Sequence, residues 1–240
     1  MIIDIYLHRF EFMQRFSKGI ILDVGCADCA QWRYPRSIDS ITNPPNIQNI
    51  ILVDCDQWNN NMGLKFIRAF AENIPLPDLS VDTVIFGDIL EHVNDVNIVL
   101  QEGKRLTRDR IIISVPLEFE WESNNPNIKR FETREKHIAT GINMRELSDD
   151  CTIRHPCGAC TDALNDVDFH HIHHRRFYTE KTFKKLIDKN FEKDEWDYYL
   201  FKLRYNQLNF VNLGCVAWRK NDIDNTDYSI MENRPDILIE

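Results

Sequence analysis

Residues 20–29, IILDVGCADC, form the stretch that most constrains how this chain folds. An apolar run ends in Asp23 and breaks at Gly25. Parallel strands buried on both faces show continuous apolar runs, and ligands of open α/β sheets bind beyond the carboxyl ends of such strands. A glycine at this point lets a ligand approach the backbone closely. The stretch therefore predicts a buried parallel strand that opens into a ligand-binding turn.

Further apolar runs follow the first strand, each separated from the next by polar or proline-containing residues. They occupy residues 49–55, 64–70, 81–87 and 110–116. Between the last two runs, apolar residues at helical spacing (Val96, Val99, Leu100 and Leu106) predict a helix. Because strands alternate with helices, the sequence predicts a mostly parallel sheet with helices on both faces.

The two ends of the pattern predict additional elements. Tyr6, Phe10, Met13 and Phe16 lie at helical spacing, so residues 5–17 are expected to form an amphipathic helix. Thr179 is a candidate N-cap for a late helix. The aromatic-rich runs at 195–204 and 208–218 are predicted strands, and the short connection between them requires an antiparallel pair.

Composition limits the classes of protein to which the chain can belong. With 43% hydrophobic residues, the chain can form one core, and we expect a single domain over 1–220 with a lid-like insertion at about 117–178 and a polar tail at 221–240. The net charge of −9 argues against nucleic acid as a partner. No run of about 18 apolar residues is present, so no membrane partner is expected. The odd number of cysteines, seven, fits reduced thiols in a cytoplasmic protein.

Asp54 is the main candidate for binding a nucleoside. It ends the second predicted strand, 29 residues after Gly25, where an acidic side chain accepts hydrogen bonds from ribose hydroxyls in α/β folds. Asp56 takes this role if the register shifts by two residues. Gly25 and the amides after it leave room for the part of the ligand beyond the nucleoside. Asp23 is either a water-mediated partner of an ammonium group on that part of the ligand or a buried capping acid.

Several motifs occur together in the first half of the chain. They are LDVGCADC at 22–29, LVD at 52–54, AENIPLP at 71–77, VDTVIFGDILEHV at 81–93, IISVP at 112–116 and, later, HRRFYT at 174–179. With these motifs, residues 19–116 resemble the class I S-adenosylmethionine-dependent methyltransferases, in the broad group that includes the ubiquinone-type O-methyltransferases.

The resemblance implies a Rossmann-like α/β fold, with a mostly parallel seven-stranded sheet, an antiparallel last strand and S-adenosylmethionine as the cofactor. It implies these cofactor contacts: Asp23, Gly25, Cys26, Asp54, Cys55, Ala71, Glu72 and Asp88. The chain departs from the family where Ala27 and Cys29 replace glycines and where Phe70 replaces the usual adenine-side acid. A nicotinamide cofactor fits less well, because no G-x-G-x-x-G follows the first strand.

Two histidines are candidates for a general base, His92 after the fourth strand of the motif series and His174 before the late helix. A neutral histidine suits removal of a proton from a hydroxyl acceptor near pH 7. His92 has two alternatives: a packing or capping role, and a metal site in which Asp88, Glu91 and His92 share one helical face, a pattern similar to that of the polyprenyl-hydroxybenzoate O-methyltransferases.

The insertion carries two further clusters. Cys151, His155, Cys157 and Cys160 lie within ten residues, and the spacing of the last two cysteines suits zinc, although chance clustering and a redox pair stay open. Arg175 or Arg176 could bind a carboxylate or phosphate of an acceptor.

The sequence therefore predicts methyl transfer to a small-molecule or sugar-containing acceptor, in which an anionic group is one option and oxygen is preferred to nitrogen. The alternatives are a methyltransferase of RNA or protein and a non-catalytic module that binds the cofactor. The oligomeric state does not follow from the sequence.

Overall fold

The computed structural model describes residues 2–27, 32, 49–56, 63–117, 178–204 and 211–220. Within these ranges, eight strands form one sheet with the order β1-β7-β8-β6-β5-β2-β3-β4. The strands are β1 (Ile2–Tyr6), β2 (Ile21–Val24), β3 (Ile50–Asp54), β4 (Lys65–Arg68), β5 (Val81–Gly87), β6 (Thr107–Pro116), β7 (Trp196–Arg204) and β8 (Val211–Arg219). The helices are α1 (Arg9–Phe16), α2 (Val96–Leu106) and α3 (Glu180–Asn190).

The strand directions confirm the predicted architecture. The pairs β2–β3, β2–β5, β3–β4 and β5–β6 are parallel, whereas β8 is antiparallel to both of its neighbours, β6 and β7. The chain moves from β2 outwards to β3 and β4, then returns to β5 on the other side of β2. This reversal of direction between β2 and β5 is a topological switch point, the place where open α/β sheets bind ligands.

Two apolar layers enclose the sheet. In β5, Val84 and Phe86 face the layer that contains α2 and α3, whereas Ile85 faces the layer that contains α1. All three side chains are at most 1% exposed. Because successive strand residues point to opposite faces, burial of all three requires helices on both sides of the sheet.

The N-terminal segment differs from the predicted helix over 5–17. Residues Ile2–Tyr6 form β1, an additional strand that pairs in parallel with Leu200–Arg204 of β7. The sheet therefore has eight strands rather than the predicted seven. An ion pair of 2.9 Å between Asp4 and Arg204 joins the two strands, and the β-branched isoleucines of β1 favour the extended form.

The helix α1 begins only at Arg9, where the His8 imidazole caps it by accepting a hydrogen bond from the Phe10 amide at 3.1 Å. Its buried apolar side chains are Phe12, Met13 and Phe16. Tyr6 is instead 46% exposed. The predicted helix therefore wrongly included Tyr6 among its apolar positions and omitted Phe12, which is buried.

The other predicted elements are confirmed with small shifts. Thr179 is the N-cap of α3 and forms a capping box with Thr182, and β6 begins at Thr107, directly after α2. Among the described residues, none of the helices combines the length and apolarity needed to span a bilayer. The predicted insertion and tail lie outside the described residues, apart from Leu117, Tyr178 and the boundary at Lys220.

Candidate active site

The carboxyl ends of β2, β3 and β5 meet at one edge of the sheet, and Asp54 stands at the centre of it. Its Oδ2 accepts a hydrogen bond from the Ala27 amide at 3.0 Å, and its Oδ1 accepts one from the Asp56 amide at 3.0 Å. A carboxylate offers about four acceptor positions. Asp54 therefore fixes the turn after β2 to the end of β3 and retains acceptor capacity for a ligand.

Gly25 adopts a backbone conformation that L-residues rarely take, with φ of +73°. The amides of Gly25 and Cys26 both donate to the Val53 carbonyl, at 2.8 and 3.2 Å. A Cβ placed on Gly25 would lie 2.5 Å from Cδ1 of Ile89. The turn and the close approach of Ile89 therefore both require glycine at position 25. The next residue, Cys26, is buried in the layer that contains α1.

Asp23 lies within β2 and is 1% exposed. Its Oδ2 accepts a hydrogen bond of 2.7 Å from the Trp32 indole. The structure therefore shows a buried carboxylate held by an indole N–H, a partner that the sequence analysis did not single out. The signal for this contact in the sequence was a tryptophan nine residues after an acid near the end of a predicted strand.

Asp88 follows β5 and connects four separate segments of the chain. Its Oδ1 accepts hydrogen bonds from Ser114 Oγ at 2.5 Å and from Asn212 Nδ2 at 2.9 Å. Its Oδ2 lies 2.6 Å from a guanidinium nitrogen of Arg9. The backbone of Asp88 is left-handed, with φ of +51°, a conformation that is strained for most side chains and often marks a functional turn.

The group Arg9, Ser114 and Asn212 is called the Asp88 cluster below. None of these three residues was predicted as a site residue, because they belong to α1, β6 and β8 and meet only when the sheet assembles. The only signal was positional, since Ser114 is near the end of a predicted strand.

His92 lies in the turn after β5, and its amide donates to the Ile89 carbonyl at 2.9 Å. The imidazole is 37% exposed, whereas the neighbouring Glu91 side chain is 1% exposed. The distance from His92 Nε2 to Glu91 Oε1 is 3.9 Å. The imidazole is therefore accessible at the switch-point edge and has the Glu91 carboxyl group beside it.

The metal hypothesis for Asp88, Glu91 and His92 required all three on one helical face. In the structure these residues lie in bends and turns, and α2 begins only at Val96. Within the ranges that the structure describes, the side chains gathered closely enough to share an ion are those of Asp54, Cys55 and Asp56 alone. The helical-face geometry was therefore wrong, since the chain turns after β5 before it enters the helix.

Cys55 is an exposed cysteine beside Asp54. Desolvation raises the pKa of its thiol, and the carboxylates of Asp54 and Asp56 raise this pKa further. The thiol therefore stays neutral at physiological pH, which disfavours it as a nucleophile.

The loop after β4 brings the adenine-side candidates to the same edge. Ala71 is 7% exposed and packs into the core, Glu72 is half-buried, and Phe70 is 71% exposed. Asn73 closes the turn by donating its amide to the Phe70 carbonyl at 3.1 Å. The predicted site residues that lie outside the described residues are His174, Cys29, Arg175, Arg176 and the cysteine cluster of the insertion.

A family model described as a methyltransferase domain matches residues 22–113. The matched interval runs from β2 into β6 and so includes the switch point, Asp54 and His92. Residues 22–113 therefore form a methyltransferase domain of the class I S-adenosylmethionine-dependent type. Its cofactor is S-adenosylmethionine. No curated protein matches the sequence of this methyltransferase.

Solved structures provide a comparison of the whole fold. One from Listeria monocytogenes, described as a candidate S-adenosylmethionine-dependent methyltransferase, has a TM-score of 0.51 and 10% identity over 88% of this chain and 98% of that chain. A methyltransferase from Methanosarcina mazei gives a TM-score of 0.49 and 15% identity over 90% and 98% of the two chains. The first of these similarities supports the methyltransferase fold.

Proposed function

We propose that this methyltransferase transfers a methyl group to a hydroxyl oxygen of a small-molecule acceptor, with His92 as the general base. The observation that supports the proposal most directly is the position of His92. Its accessible imidazole follows β5 at the switch-point edge, with the buried Glu91 carboxylate 3.9 Å away. A base at this edge can reach an acceptor that lies beside the cofactor.

The residues at the edge fit S-adenosylmethionine in kind. The Asp54 carboxylate would accept hydrogen bonds from the ribose hydroxyls. The carboxylates of Asp23 and Asp88 would attract the methionine ammonium group. Gly25 and Cys26 would lie against the methionine part. The remaining proposed contacts, on the adenine side, are Cys55, Ala71 and Glu72.

The bound cofactor supplies an electrophilic methyl group on a sulfonium. Catalysis then consists mainly of alignment, with the acceptor oxygen about 3 Å from the methyl carbon and in line with the breaking bond. We propose that His92 removes the hydroxyl proton as the oxygen–carbon bond forms and the carbon–sulfur bond breaks, which releases S-adenosylhomocysteine. The proton remains on the imidazole, where Glu91 stabilises the positive charge, until solvent takes it.

Two properties of the protein support a small polar acceptor. The Asp88 cluster adds a hydroxyl, an amide and a guanidinium to the edge, grouped around one carboxylate, so the edge is polar. The net charge of −9 disfavours a polyanionic substrate such as RNA. A protein or RNA acceptor is an outcome that the following assay can reveal.

The experiment compares the parent with His92→Ala in a panel of small phenols, catechols and sugars, with release of S-adenosylhomocysteine as the readout. We expect the turnover of His92→Ala on the best acceptor to fall by about 10²- to 10⁴-fold, the usual contribution of a general base. Calorimetry should show unchanged binding of S-adenosylhomocysteine, since His92 is proposed to contact the acceptor rather than the cofactor.

Asn94→Ala is the matched control, because Asn94 is an exposed residue of the same turn. Equal turnover in His92→Ala and the parent would refute the role of His92. Methylation of RNA or protein, but of none of the small molecules, would refute the proposed acceptor class.

A further inference from the structure

Two side chains of α2, Glu102 and Arg105, bind the loop that follows the adenine-side candidates. Glu102 Oε1 accepts a hydrogen bond of 2.7 Å from the Ile74 amide. The Arg105 guanidinium donates to the Ile74 carbonyl at 3.1 Å and to the Leu76 carbonyl at 2.9 Å. Asp78 Oδ1 receives a further bond of 2.6 Å from Arg105. The two side chains together therefore bind the loop backbone at Ile74 and Leu76, and Arg105 also binds the side chain of Asp78.

Glu102 and Arg105 also bind each other. Arg105 Nε donates to Glu102 Oε2 at 2.8 Å, and Nη2 donates to Oε1 at 2.8 Å, so the contact is bidentate. Burial alone would raise the pKa of Glu102, but the hydrogen bonds from Arg105 and the Ile74 amide outweigh it and lower this pKa. Hydrogen bonds to Glu102 and Asp78 raise the pKa of Arg105. The pair is thus fully charged at neutral pH.

The loop held by this pair begins at the carboxyl end of the sheet. Ala71 is 7% exposed and Ile74 is 2% exposed, so the apolar side chains pack into the core while the backbone turns between them. The Leu76 amide donates to the Ile74 carbonyl at 2.7 Å, which makes the turn tight. A shift of Ile74 would therefore move Ala71 and Glu72.

We propose that Glu102 and Arg105 are positioning residues for adenine recognition. The inference rests on the proposed adenine-side role of Ala71 and Glu72. The pair fixes the backbone at Ile74 and Leu76, and the tight turn transmits this constraint to Ala71, so that the Ala71 amide presents its donor to the base at a defined position. Neither side chain of the pair contacts the cofactor itself.

The geometry requires arginine rather than lysine at position 105. A guanidinium has five donors in a rigid plane, which lets Arg105 bind Glu102 and two carbonyls at once. A lysine ammonium keeps the charge but cannot reproduce this planar set of bonds. Arg105→Lys therefore retains the electrostatic attraction to Glu102 and removes much of the positional constraint.

The test compares binding of S-adenosylhomocysteine and S-inosylhomocysteine by calorimetry. The two probes differ at the base, where an acceptor at N1 of adenine becomes a donor in hypoxanthine. We expect the parent to prefer adenine. In Arg105→Lys, Kd for S-adenosylhomocysteine should rise about tenfold, the scale of one lost hydrogen bond between the Ala71 amide and the base. Kd for S-inosylhomocysteine should change little, so the preference should decrease.

Glu102→Gln is the second variant, since it keeps the size of the side chain and removes its charge. Arg108→Lys is the matched control, because Arg108 pairs with Asp82 at 2.9 Å and does not bind the loop. Circular dichroism establishes the temperature range in which every variant is folded. The expected result is a reduced preference for adenine in both Arg105→Lys and Glu102→Gln, and an unchanged one in Arg108→Lys.

The possible failures are distinguishable. If the parent binds both probes equally, the loop does not recognise adenine, and both the adenine-side assignment and this inference are overturned. If the parent prefers adenine and the folded variants keep the same preference, the assignment of Ala71 and Glu72 stands and the positioning role of the pair is refuted.

Discussion

At the scale of single residues, the carboxylates of the candidate site also hold the backbone or side chains around them. Asp54 binds the amides of Ala27 and Asp56, Asp23 binds the Trp32 indole, and Asp88 binds its cluster. Charge-assisted hydrogen bonds of this kind give each carboxylate a fixed orientation. The site is therefore preorganised by the same groups that are proposed to bind the cofactor.

Asp54→Ala tests this double role. We expect the variant to bind S-adenosylhomocysteine more weakly by about 1–3 kcal/mol, because a charge-assisted hydrogen bond to the ribose and the anchor of the Ala27 amide are both lost. Isothermal calorimetry measures the difference. Asp56→Ala is the control, since its side chain lies two residues further along the same turn. A larger loss in Asp56→Ala than in Asp54→Ala would show that the ribose-binding acid had been assigned to the wrong residue.

At the scale of elements, the apolar faces of helices decide how the sheet is covered. In α2, Val96, Val99, Leu100, Gly103 and Leu106 are buried, and the Asp95 side chain caps the helix by accepting from the Asn97 amide at 2.8 Å. Gly103 is the point of closest approach, because a Cβ there would lie 2.6 Å from the Phe86 ring of β5. A glycine inside a helix is thus explained by the packing of α2 on the sheet.

Gly103→Ala should destabilise the protein, although alanine favours helices by about 1 kcal/mol relative to glycine. Phe86 is 1% exposed and cannot move away without disturbing the core, and overpacking of this kind costs about 1–3 kcal/mol. Urea denaturation measures the change. Gln101→Ala, on the exposed side of α2, should be close to neutral. A gain of stability in Gly103→Ala would contradict the packing derived from the structure.

At the scale of the whole molecule, two groups with raised pKa values make stability fall at high pH. Burial raises the pKa of the Cys215 thiol above its ordinary value of 9.0. Desolvation is the largest cause, and the hydrogen bond to Asp188 the second, of a rise in the pKa of Tyr198 from 10.0 to about 12. Both groups are neutral in the folded protein at a pH where the unfolded chain has already lost their protons. Their contribution to stability is therefore complete below these ordinary values and is lost as pH rises.

Tyr198→Phe provides the measurement. The parent should lose stability between about pH 10 and 12 as the unfolded chain ionises its tyrosine. In the variant this part of the decline should disappear, while the decline that begins near pH 9 with Cys215 should persist. Urea midpoints at intervals of half a pH unit record both curves. Identical curves for the variant and the parent would show that Tyr198 has an ordinary pKa in the folded protein.

The sequence by itself determined most of the sheet. The apolar runs of β2, β3, β5 and β6 can be recognised locally, because most residues in a strand buried on both faces are apolar. Two other local features located the N-cap of α3 and the antiparallel pair β7–β8: the capping preference of Thr179 and the short connection between the two strands. The motifs also identified the family, since the turn after β2 and the acid that ends β3 are short segments with specific requirements.

Tertiary structure decided what depends on contacts between distant segments. Residues Ile2–Tyr6 carry apolar residues that suit either a helix or an edge strand, and the pairing with β7 selected the strand. The Asp88 cluster draws on residues from 9 to 212, which no local pattern connects. The Glu102–Arg105 pair is likewise visible in the sequence only as two charges on a helix. The pair binds the backbone of Ile74 and Leu76 because α2 packs beside the loop that contains them.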